Sequence, residues 1–70
     1  MSYEHDILQV VPLLEWEGYE RTFEVIATYP RNSYTTEVCV LITFNNQPDA
    51  EMFVLVHQGM TLEQLLKATQ

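Results

Sequence analysis

The sequence predicts an α+β domain: an antiparallel β-meander of three to four strands with one C-terminal α-helix packed on one face. Three observations predict it. Residues 21–29 alternate apolar and polar with the period of a half-buried strand. Residues 35–44 repeat that period with many β-branched side chains. Thr61, followed three residues later by Gln64, opens a leucine pattern at helical spacing. With 70 residues there is one domain at most, spanning 1–70.

The first segment, about 7–16, is rich in aliphatic residues and reads as a strand. Pro12 places it at a sheet edge or at a bulge, because proline cannot donate to a ladder. A short helix over Ile7 to Val11, capped by Asp6, is the competing reading. The second strand, about 20–29, sets Phe23, Val25, Ala27 and Tyr29 on one face. Thr22, Glu24, Ile26 and Thr28 fall on the other. Pro30 to Ser33 reads as a turn.

The third strand, about 35–45, sets Val38, Val40, Ile42 and Phe44 on one face and Glu37, Cys39, Leu41 and Thr43 on the other. Its middle is apolar on both faces, so it is expected at the centre of the sheet. Asn45 to Asp49 has loop composition. The short apolar run at about 51–57 reads as a fourth strand. The helix, about 61–69, follows Gly59, with a capping box at Thr61 and Gln64 and a Glu63–Lys67 pair one turn apart.

Val56, Gly59 to Leu62, Leu65, Lys67 and Ala68 are similar to the strand-to-helix corner of ubiquitin-like Ras-binding domains. The similarity is confined to this corner and its capping chemistry. The basic recognition residues of that family are absent, and no activity follows from it.

Ten acidic residues against three basic ones give a net charge of −7. Direct binding to nucleic acid or to an anionic membrane is therefore not expected. No apolar run approaches the length of a membrane span, and the opening residues carry no basic region of a secretory signal. A lone cysteine, Cys39, cannot form an internal disulfide and points to a reducing, cytoplasmic location.

The sequence holds no Gly-rich phosphate loop and no nucleophile elbow. His5, His57 and Cys39 lack metal-ligand spacing, and Cys39 has no neighbouring base to activate it. Glu15 and Glu17 could do acid–base work only inside a cleft, and nothing in the sequence supplies one. The expectation is a non-enzyme with no cofactor and no metal.

The unusual stretch runs from Glu15 to Glu20. It holds three carboxylates, Trp16 and Tyr19 in six residues. Gly18 reads as the hairpin tip. A two-residue loop there would set Glu15 opposite Glu20, whereas a bulged loop would set Glu15 opposite Tyr19 and relieve that repulsion. The bulge is preferred.

Trp16 and Tyr19 are then candidate apolar anchors, with Glu15, Glu17, Glu20 and Glu24 steering a protein partner with a basic or mixed surface. The expected function is an acidic regulatory or inhibitory protein. A nucleic-acid mimic and a structural subunit of an oligomer are the alternatives. A core this small also favours a homodimer, with Val10, Val11, Leu13, Val38 and Val40 as candidate dimer or sheet-packing positions.

Overall fold

Pro12 decides the architecture of the N-terminal segment. Proline has no N–H and disfavours helix in the residue before it, so neither a helix nor a strand runs through it. In the computed structural model, which describes residues 3–69, a helix α1 (Tyr3–Leu8) ends before Pro12 and a strand β1 (Leu13–Tyr19) begins after it. Side chains are described from Asp6 onward.

The expected strand over 7–16 is thereby corrected. Ile7 and Leu8 close α1, and Val10 to Pro12 form a connector. The competing helix over Ile7 to Val11 is displaced as well, since α1 ends where that helix would have begun. The backbone of His5 lies within α1.

Strands β2 (Thr22–Pro30) and β3 (Thr36–Phe44) complete an antiparallel meander in the order β1-β2-β3. The faces predicted for β2 are observed: Val25 and Ala27 are fully buried, facing Trp16 and Leu14 of β1. The faces predicted for β3 are not. Ile26 pairs with Val40 but Val25 pairs with Ile42, so Leu41 is the extra residue of a bulge. The bulge reverses the parity, leaving Val38 and Val40 on one face while Ile42 and Phe44 turn to the other.

The expected central position of β3 is also corrected. It is an edge strand, because the segment that was to pair beside it is a helix, α2 (Gln47–His57). The Asn46 side chain caps this helix, accepting from the Asp49 N–H at 3.0 Å and donating to the Asp49 carboxylate at 2.8 Å. Pro48 lies in the first turn, where its missing N–H costs nothing. Ala50 and Val54 are buried on one side, with Phe53 and His57 half-buried beside them. That spacing of three and four residues is a helix face.

Helix α3 (Leu62–Ala68) follows Gly59, whose φ of +82° makes the corner. The predicted capping box forms in both directions. Gln64 N–H donates to Thr61 Oγ1 at 3.3 Å, and Thr61 N–H donates to Gln64 Oε1 at 3.0 Å. Lys67 and Glu63 pair at 3.4 Å. The expectation of one C-terminal helix on the sheet is replaced by two consecutive helices, α2 and α3. The similarity to the Ras-binding corner fails with it, since a helix and not a strand leads into Gly59.

The core is a cluster of Leu14, Val25, Ala27, Ala50, Val54 and Leu65. Helix α2 lies across all three strands, and α3 adds Leu65, which is fully buried. The N–H of Leu62 donates to the carbonyl of Val10 at 2.9 Å, joining α3 to the connector that Pro12 keeps out of regular structure.

Candidate partner-binding face

Among the described residues, the helices pack on one side of the meander, and the other face is left exposed. Cross-strand neighbours share a face, so the register defines that surface row by row. Leu13, Thr28 and Val38 form one row, and Glu15, Ile26 and Val40 the next. Glu17, Glu24 and Thr43 form the third, and Tyr19 and Thr22 lie at the hairpin end.

The face is divided in composition. Its lower half is apolar, with Leu13 at 58%, Val38 at 57% and Val40 at 49% exposure around a buried Ile26. Its hairpin half carries Glu15, Glu17 and Glu24. Of the expected partner-binding residues, Glu15, Glu17, Tyr19 and Glu24 are therefore brought together. Trp16 is not with them. It points to the helix side and packs edge-on against Phe23, with ring centroids 6.0 Å apart.

The hairpin turn lies further along the chain than expected. Tyr19 pairs with Thr22, so Glu20 and Arg21 form the loop. Gly18 sits inside β1 opposite Phe23, which corrects both readings of the tip. Its role is clearance: a Cβ there would lie 3.1 Å from Cε1 of the Phe23 ring. The left-handed position falls instead on Glu20, at φ 46°, and Thr22 Oγ1 donates to the Tyr19 carbonyl at 3.3 Å.

This register sets Glu15 opposite Ile26, not Tyr19 or Glu20, but creates a different like-charge pair. Glu17 stands directly opposite Glu24, and like charges in that relation repel. The Tyr19 hydroxyl donates a hydrogen bond to Glu17. That bond, then the charge of Glu17, raises the Tyr19 phenol above its usual pKa.

The expected dimer positions divide as well. Leu13, Val38 and Val40 belong to the uncovered face, whereas Val10 and Val11 lie in the connector. A second apolar patch, which the strand reading of 51–57 disguised, runs along the outer side of α2 through Met52, Leu55 and Val56. At the far end from the hairpin, a cavity of about 680 Å³ lies among α1, α3 and the β2–β3 turn, with Ile7, Leu8, Leu62 and Leu66 in its wall. Its polar groups serve one another. Tyr29 donates to Glu37 at 3.4 Å, and Arg31 reaches Glu37 at 3.8 Å. Burial, then the Glu37 charge, raises the Tyr29 phenol.

The His57 ring stacks on Phe53 at 3.9 Å, with Nδ1 2.9 Å from the Phe53 carbonyl. Cys39 is half-buried in β3. Among the described residues no group of three or more His, Cys, Asp or Glu side chains is placed to hold a metal ion. No described helix is long and apolar enough to cross a membrane. Comparison with protein-family models, curated proteins and solved structures finds no match to this chain.

Proposed function

We propose that this chain is a non-enzymatic interaction protein that binds a larger protein through the hairpin end of its uncovered sheet face and regulates or inhibits it. One observation carries the reading: Glu15, Glu17, Glu24 and Tyr19 converge on a single exposed surface. Glu17 and Glu24 face each other at some cost in stability, a cost that a basic partner would convert into binding. The surrounding charge of −7 supports fast capture of such a partner. Trp16 serves the hairpin from behind, as packing, and makes no contact in this reading.

The test is capture from lysate of the source cell, comparing the native chain with a Glu17→Lys/Glu24→Lys variant at low and high salt. A stoichiometric partner that the native chain retains should associate about tenfold more slowly with the variant. Equal capture by both chains at both salt concentrations would sink the assignment. A partner that nucleic acid displaces from the hairpin would place the protein among nucleic-acid mimics.

A further inference from the structure

We propose that a second copy of this chain pairs with the free edge of β3, joining two meanders into one continuous sheet about a two-fold axis at Cys39. The first observation is the edge itself. β3 extends for nine residues, and no strand among the described residues pairs along its outer side. Edge strands are ordinarily guarded by lysine, proline, inward charge or a bulge, and the bulge of β3 lies at Leu41, past Val38 to Val40. Thr36 to Phe44 contains no lysine, arginine or proline. Its one charge, Glu37, is engaged by Arg31 and Tyr29 at the end of the strand.

Charge then chooses between the two edges of the meander. The opposite edge, β1, carries Glu15 and Glu17 and leads into Glu20 of the loop. Two β1 edges would bring those carboxylates together in a chain already at −7. Two β3 edges keep them two strands away from the axis on either side. The assembly also closes, because pairing at β3 leaves only the acidic β1 edges outward.

The sequence at the centre of the edge fits a copy of itself. Val38-Cys39-Val40 reads the same in both directions, as a two-fold contact requires. With Cys39 opposite Cys39 of the second copy, Val38 meets Val40 of the second copy and Val40 meets its Val38. Both valines are about half exposed in the single chain, and β-branched pairs of this kind stabilise a ladder. The bulge at Leu41, which faces Glu37 of the second copy, ends the regular pairing on both sides of the axis. The surface is separate from the carboxylates of the hairpin, so it stands whether or not the proposed function does.

Sedimentation of the full chain over a concentration series tests the assembly. The expected species has twice the 8.2 kDa chain mass. Val40→Lys alters an exposed side chain and should weaken association about tenfold or more, while Glu17→Lys/Glu24→Lys leaves it intact. Copper–phenanthroline should link the native dimer through Cys39, the two thiols giving two electrons and two protons to the oxidant.

Hydrogen exchange on the unaltered chain supplies a reading that does not depend on a variant's folding. β3 amides should gain protection as concentration rises. A monomer at millimolar concentration, a dimer indifferent to Val40→Lys, or protection gained elsewhere than β3 would overturn the proposal. A dimer that resists Cys39 linkage would overturn the register at Cys39.

Discussion

Glu20 is held at φ 46° in a loop of two residues, a conformation that favours glycine because a Cβ crowds the following carbonyl. Glu20→Gly should therefore raise stability by about 1 kcal/mol in urea unfolding. Three positions earlier, Glu17 opposes Glu24 and accepts from Tyr19. Glu17→Gln should gain a few tenths of a kcal/mol and return the Tyr19 phenol toward the ordinary value, read by ultraviolet titration. Gly18→Ala should lose about 1 kcal/mol, because the Phe23 ring that must yield a few tenths of an ångström is packed against Trp16. The sequence places the turn at Gly18 because glycine suits a turn. Here it provides clearance for a ring that lies across the strand, a requirement set by β2 and invisible in β1 alone.

At the scale of elements, legibility followed the sharpness of the local signal. β2 alternates except at Ile26, and α3 has a reciprocal cap, so both could be read directly. α2 could not. Phe53 to Val56 is continuously apolar and partly β-branched, and such a run fits a strand or a helix equally. The deciding features lay upstream, in the Asn46 cap and in Pro48 and Asp49 of the first turn. Outward-facing Met52, Leu55 and Val56 further blurred the helical stripe.

Once α2 is a helix, β3 loses its expected neighbour and becomes an edge. The bulge at Leu41 was equally hidden, since it is a property of the pairing and not of the strand. Thr61→Ala should cost about 1 kcal/mol through loss of the α3 cap, whereas Leu65→Ala should cost about 2–5 kcal/mol. Thermal unfolding of the two variants checks this order.

Across the whole molecule, charge and apolar surface are segregated. The radius of gyration is 12.5 Å, against about 11 Å for a compact domain of this length, and the longest dimension is 41 Å. The clustering of carboxylates around the first hairpin was legible in the sequence. The apolar half of the same face was legible only as single residues, because their assembly depends on strand order and bulge.

The opposite end of the sheet predicts a response to alkali. Tyr29 holds its proton more tightly when folded, because burial and Glu37 oppose the phenolate. Its contribution is fully present below the unfolded pKa of about 10 and is lost as pH rises through the higher folded value. Stability should therefore fall above about pH 10, and Tyr29→Phe should lessen that fall in urea titrations.

The hydrogen bond from Leu62 to Val10 has a kinetic consequence. Every strand pairing in the meander joins neighbours in sequence, so the sheet can assemble through short loops. The Leu62–Val10 bond instead joins segments separated by the whole meander and α2. Long loop closure costs entropy that only completed packing returns. The meander and α2 should therefore order first, and the docking of α3 onto the connector should come last. The same bond should be the first to open in the native state, so the Leu62 amide should exchange with solvent faster than the amides of β2.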